Sequence, residues 1–237
     1  MTESRKYEPP KPSTRDTAHL VASAAMSLIP GLPELFQYFV TPPLERRRDE
    51  WMTEVGKTLR YLEENRGVNL EELQSNDVFI DTILQATQIA LRNSQEEKRK
   101  ALRNAILNAA LPNPPEQSLQ QMFLNWIDTF TVWHLRILKL FHNVEQWAAE
   151  NNHQFPVVSI GGSLANSILE SAFPELEGKR TLYDQIWQEL YQRGLVSTDS
   201  LHTVMTGPGL LAKRTSDLGT QFLEFVEEPS DIMKDDT

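Results

Sequence analysis

Histidine, carboxylate and hydroxyl side chains must carry any chemistry in this chain, because its 237 residues include no cysteine. That one absence removes thiolate metal sites, cysteine nucleophiles and disulfide frameworks together. The five histidines are His19, His134, His142, His153 and His202. A zinc-protease helix needs two histidines four residues apart on one face, and no pair here has that spacing. His134, His142 and Glu145 share one face at helical spacing, but no fourth ligand accompanies them, so they read as core or surface residues. Ser159-Ile160-Gly161-Gly162-Ser163 is a small Gly-rich turn ahead of a helix, and such a turn can offer amides to a phosphate. It lacks the lysine and spacing of a P-loop, and Ser163 does not sit in a nucleophile elbow. Trp126, Trp133, Trp147 and Trp187 read as packing residues rather than a ligand cage. No catalytic residue, cofactor or metal is expected.

One cluster of charge stands out. Arg92, Lys98, Arg99, Lys100 and Arg103 form the densest basic group, and three of them fall near a helix start, where cations oppose the dipole. They are candidates for contact with an anion or a partner; a solvated helix face is the alternative. Arg46-Arg47-Arg48 is bracketed by Glu45, Asp49 and Glu50 and reads as a self-neutralising face. The chain carries 23 basic and 33 acidic residues, a formal net charge of −10. That balance argues against coating nucleic acid nonspecifically, which needs cations facing phosphates.

The elements that would position these residues are almost all helical. Residues 1–17 hold Pro9, Pro10 and Pro12 and read as a flexible arm without a secretory signal. Residues 18–40 are strongly apolar, with only His19 and Glu34 ionisable. Pro30, Gly31 and Pro33 split them into a helical hairpin. Leu28, Ile29, Leu32, Leu35, Phe36 and Phe39 are its candidates for membrane insertion or self-association, and a place in the core is the simpler reading. Thr41 is expected to cap a helix from about residue 43 to 66, with Leu44, Trp51, Val55, Leu59 and Leu62 inward. Asn69 and Asn76 open two further helices, the second burying Val78, Ile80, Ile83, Leu84, Thr87 and Leu91. Ser94 to Glu97 fits a capping box for a helix ending near Ala110. The prolines at 112, 114 and 115 mark the internal linker, followed by a helix to Thr129.

Beyond it, Thr131 caps a helix through His142, a second opens near Ser163, and a third runs from Thr181 to Gly194. The runs Leu201 to Met205 and Leu210 to Arg214, separated by Thr206-Gly207-Pro208-Gly209, form a hairpin pattern. Ser216 caps the last helix, with Leu218, Phe222 and Phe225 or Val226 inward. This order, with Leu190, Gly194, Leu195 and Val196 leaving the third helix and Arg214 to Val226 after the hairpin, resembles a winged-helix domain. The resemblance implies a fold for about residues 130–227 and almost nothing about function. More widely, SLIPGLPELFQYFVTPPLERRRDEWMTEV, LRNAILNAALPNP and MFLNWIDTFTVWHLRILKLF look like segments of bacterial helical proteins of the abortive-infection alpha type. The chain departs from their pattern at Phe130-Thr131-Val132. What this implies is a bacterial cytoplasmic protein linked to phage defence, with no functional residue transferred.

A winged helix invites a DNA hypothesis, since its third helix usually enters the major groove. Residues 129–226 hold seven basic and ten acidic side chains, and Thr181 to Gln192 contains Asp184 and Glu189 but no cation. Phosphate contacts normally position such a helix. Gln185, Gln188 and Gln192 remain available for adenine, and Lys213 and Arg214 for the backbone, as candidate wing contacts. The acidity is concentrated late: residues 121–237 carry 8 basic and 16 acidic groups, and 227–237 alone are net −4. The expected architecture is mainly α, with an arm (1–17), a helical domain (18–111), a linker and connecting helix (112–128), a winged-helix-like domain with a small hairpin (129–227) and an acidic tail (228–237). The favoured role is a non-enzymatic, cytoplasmic protein-binding or adaptor module. A DNA-binding regulator is the first alternative, and a membrane-associated effector acting through residues 18–40 the second.

Overall fold

Helix-forming segments separated by prolines, glycines and asparagine caps dictate a mainly helical chain. The computed structural model bears this out for the residues it describes, 41–157 and 161–229. The arm, the apolar 18–40 segment with Leu28, Ile29, Leu32, Leu35, Phe36 and Phe39, the start of the Gly-rich turn (158–160) and the acidic residues 230–237 lie outside them. Among the described residues no helix is long and apolar enough to cross a membrane. The chain divides into two units, residues 1–120 and 121–237. The division falls within the helix after the proline linker.

In the first unit, α1 (Thr41–Arg66) already includes Thr41 in its first turn, so Thr41 is not its cap. Trp51, Val55 and Leu62 are buried as expected, but Leu44 is exposed. α2 (Leu70–Gln74) and α3 (Asp77–Arg92) are capped by Asn69 and Asn76, whose side chains accept from Glu71 N and Phe79 N. The buried stripe of α3 is Phe79, Thr82, Ala86, Ile89 and Ala90, whereas Ile80 and Leu84 face outward. The expectation placed it on the wrong face because it weighted bulk. The face that meets its neighbours needs small residues, and α3 packs closely on α4 (Glu96–Ala110). α4 starts one residue later than a Ser94 capping box requires: Gln95 is its N-cap and makes no side-chain cap bond. Ala101, Leu102, Ala105, Ile106 and Leu107 fill the interior. Buried Gln120 donates to Pro115 O (2.7 Å) and accepts from Thr82 Oγ1 (2.8 Å), so both ends of its amide are satisfied.

The second unit is built on aromatic rings. α5 (Gln117–Thr129) supplies Phe123 and Trp126, which meet Phe222 of the last helix at 5.4 and 5.6 Å between centroids. Phe130 meets the same ring edge-on at 6.0 Å. α6 (Val132–His142) buries Ile137, Leu138, Leu140 and Phe141. A short helix not anticipated from the sequence, α7 (Val144–Glu150), follows under an Asn143 cap and buries Val144 and Trp147. Strand β1 (Gly162–Ser163) leads into a π-helical stretch, Leu164–Leu169, then α8 (Glu170–Ala172) and a 3-10 turn, Pro174–Leu176. α9 (Arg180–Gln192) ends as expected at Gly194, whose φ of 71° lets Leu195 N reach back to Leu190 O.

The hairpin is corrected. Strand β2 (Val204–Met205) pairs antiparallel with β1, Gly162 opposite Met205 and Ser163 opposite Val204, rather than with residues 210–214. Gly207–Leu211 is a helix, α10, because Pro208 suits a first helical turn as well as it suits a hairpin loop. An isolated bridge joins Val196 to Thr215, and α11 (Asp217–Val226) closes the unit with Ser216 accepting from Gly219 N. Gly219 is required by close approach: a Cβ there would lie 2.1 Å from Leu195 O.

Candidate functional site

The basic cluster, the first candidate, is largely internal. Lys98 and Arg99 are only 4% and 8% exposed. The Arg99 guanidinium spans two α1 carboxylates, with Nη1 3.2 Å from Glu50 Oε2 and Nη2 2.6 Å from Glu54 Oε1. Arg103 reaches Glu54 at 3.6 Å and Glu96 at 3.5 Å. The pairs with Glu50 and Glu54 hold α4 to α1. Arg92 and Lys100 are exposed on the same helix pair. Arg46 and Arg48 meet Glu50 and Asp49, the self-neutralising arrangement expected of the arginine run.

The wing pair splits. Lys213 is exposed, but Arg214 turns inward, its Nη2 donating to Gly209 O and lying 3.0 Å from Met205 Sδ. Arg214 therefore braces the 205–209 loop and is not posed for a phosphate.

The histidines do not converge, and the described residues contain no group of three or more histidines and carboxylates able to hold a metal. His134 instead performs two tasks. Thr131 N donates to its Nδ1 at 3.2 Å, which makes Nδ1 an acceptor and leaves the proton on Nε2. Nε2 then donates to Glu189 Oε2 on α9 at 3.1 Å. The ring stacks on Phe130 at 4.6 Å, with Arg193 lying over that phenylalanine at 5.1 Å. Thr131 thus caps as expected, but with a histidine where a capping box usually has Glu or Gln. His202 Nε2 contacts Asp184 Oδ1 at 2.6 Å, and Arg180 meets the other oxygen at 3.2 Å. His153 bonds to Ser171, and His142 Nδ1 lies 2.9 Å from Thr215 Oγ1. Trp126, Trp147 and Trp187 are buried in packing roles, as expected.

These contacts decide what α9 presents outward. Both of its acids are tied to histidines, Gln185 donates to Glu189 (3.0 Å) and Gln188 to Asp199 O (2.6 Å). Its single cation, Arg180 at the first position, is paired with Asp184. The outward face is Thr181, Leu182, Gln185, Gln188, Tyr191 and Gln192, with Leu182 and Tyr191 each about two-fifths exposed.

Three titrations are displaced. Burial, with Lys213 nearby, lowers His142 from 6.5 despite Glu227 and Glu224. The Gln185 amide first, then His134 and Arg193, hold Glu189 below 4.5 against the opposing effect of burial. Burial and the Glu170 carboxylate to which it donates push Tyr183 up to about 12. A lowered pKa contributes stability that is present above the unfolded value and lost as pH falls through the folded one. His142 and Glu189 thus both predict acid destabilisation, beginning below 6.5 with His142. Tyr183 acts oppositely, its contribution intact below 10.0 and lost as pH rises toward about 12. Urea midpoints across pH should therefore fall on both sides, and His142→Gln should flatten the first part of the acid limb. An acid limb unchanged by that substitution contradicts the assignment.

Compared with protein-family models, curated proteins and solved structures, the chain matches none.

Proposed function

We propose that the second unit is a winged-helix-like module that binds a protein, and that the chain serves as a non-enzymatic adaptor. The observation that carries this reading is the outward face of α9. It offers neutral amides bordered on opposite margins by the half-exposed apolar side chains Leu182 and Tyr191, and its one cation is already paired. Reading DNA from that helix needs phosphate contacts to set its register, and the inward turn of Arg214 removes one of the two wing cations that would supply them. Neutral polar groups bordered by leucine and tyrosine suit a protein surface better, because no charge must be desolvated there. Within this reading the partner belongs to a bacterial phage-defence response, as the resemblance to abortive-infection alpha proteins implies.

The test is affinity capture from native cells with wild-type bait and with Leu182→Asp/Tyr191→Asp bait, alongside gel shifts over a salt series. Capture of a distinct protein that drops at least about tenfold with the double variant is expected, since burying an unpaired carboxylate at an interface costs several kcal/mol. Tight, salt-sensitive and sequence-selective DNA binding would establish the regulator instead.

A further inference from the structure

Among the described residues, three buried side-chain polar atoms make no hydrogen bond: Glu54 Oε2, Thr198 Oγ1 and Arg214 Nε. Glu54 Oε2 has the Arg103 guanidinium 3.6 Å away, and the Thr198 hydroxyl carries no charge. Arg214 Nε is different, because it is a donor on a cation, and such a donor is costly to bury alone. Its surroundings are specific. On a guanidinium, Nε–H and the neighbouring Nη2–H lie along one edge and form a fork for an acceptor. At Arg214 that fork meets Gly209 O, which accepts from Nη2, and the Met205 thioether, with Sδ 3.0 Å from Nη2. A thioether sulfur is only a weak acceptor.

Both side chains start from fixed backbone. Met205 is paired opposite Gly162, and Gly209 comes so close that a Cβ there would lie 3.3 Å from Met205 Cβ. Arg214 N donates to Phe141 O at 2.8 Å, and Arg214 O accepts from Ser197 N at 2.8 Å. Met205 is half-buried, which leaves it open to a small oxidant. Oxidation would change what it offers the fork. A sulfur lone pair takes one oxygen of hydrogen peroxide, the O–O bond breaks, and the departing hydroxide leaves as water with the proton of the transferred hydroxyl. The sulfur loses two electrons and the peroxide gains them. The product is a sulfoxide, whose polar oxygen is a far stronger acceptor than the thioether and which dedicated reductases return to methionine.

We propose that Met205 is a reversible oxidation site whose sulfoxide oxygen is received by the Nε–Nη2 fork of Arg214. Sulfoxide formation usually disrupts the apolar surroundings of a methionine. Here it supplies the missing acceptor and completes the brace that Arg214 places on the 205–209 loop. The site lies off α9 and is independent of the protein-binding face.

The full chain is treated with dilute hydrogen peroxide, and each methionine is quantified by peptide mass spectrometry before and after incubation with the two methionine sulfoxide reductases. The Arg214 Nε–H is followed by NMR in the wild type, in Met205→Leu, which removes the sulfur, and in Met205→Gln, whose amide oxygen mimics the sulfoxide. Met205 should gain one oxygen and lose it to the reductases. On oxidation the Nε–H proton should move downfield and exchange with water severalfold more slowly, and Met205→Gln should show the same change without peroxide. Peroxide should leave this resonance unmoved in Met205→Leu. Oxidation of the half-buried Met52 and Met122 with Met205 still reduced, or an oxidised Met205 with the Nε–H unmoved, would overturn the proposal.

Discussion

Gly219→Ala is expected to be the most damaging small substitution in the second unit. The new Cβ would sit 2.1 Å from Leu195 O and 3.0 Å from its carbonyl carbon, distances that no rotamer change can relieve, because both atoms are backbone. Leu195 O cannot retreat cheaply, since it already accepts from Ser216 N at 3.0 Å, the contact that fixes the start of α11. Either that bond breaks or α11 slides off Leu195 and disturbs Phe222 and Phe225, which sit in the aromatic core. Overpacking costs typically about 1–3 kcal/mol, and a backbone obstacle belongs at the top of that range. The melting temperature should fall by about 10 °C. Gly178→Ala is the control. Its φ of 72° strains an alanine, but nothing lies within 4 Å, so the cost should be about 1 kcal/mol. Equal losses at the two positions would show that close approach is not what Gly219 provides.

Arg99→Ala should destabilise the first unit by about 2–3 kcal/mol, whereas Lys100→Ala should change it by less than about 0.5 kcal/mol. Removing the guanidinium takes the closest cation from Glu54, only one-fifth exposed, and leaves it beside Glu50 with the longer Arg103 contact at 3.6 Å. Breaking one side of a buried pair costs more than the pair was worth, because the remaining charge stays desolvated. Glu54→Gln in the Arg99→Ala background should recover part of the loss, since the charge left with only the looser Arg103 contact to offset the lost pair is then gone. A double-mutant cycle in urea measures this coupling directly. Additive effects would mean that Arg99 and Glu54 stabilise the unit separately.

The contrast between Arg99 and Lys100 shows what the sequence made legible. Adjacent cations of one run look alike in one dimension, but a helix turns each by 100°, and the partners of Arg99 lie 45 and 49 residues earlier on α1. Local signals with a local cause were readable: Asn69 and Asn76 as caps, Gly194 as a helix stop, Ser216 opening the last helix. Signals open to two local solutions were not. Thr206-Gly207-Pro208-Gly209 suits a hairpin loop and a helix start equally, and only the pairing of Val204–Met205 with Gly162–Ser163 decides between them. The stripe of α3 was misplaced because alanines at 86 and 90 carry little hydrophobic weight yet allow helices to approach closely. Of the candidate site, the scarcity of cations on the third helix was legible from composition alone. That its acids would be held by His134 and His202, one of them 55 residues away, was not.

That last arrangement ties two distant events together. The Nδ1 of His134 holds the first turn of α6 closed and its Nε2 holds α9 in place, so one proton position serves both. If α9 swings away, the ring loses the partner that fixes its orientation, and the start of α6 is freed to fray. Opening at either place therefore lowers the barrier at the other, and amide exchange at Thr131 and along α9 should share one protection factor rather than two. A single imidazole makes two helices one cooperative unit.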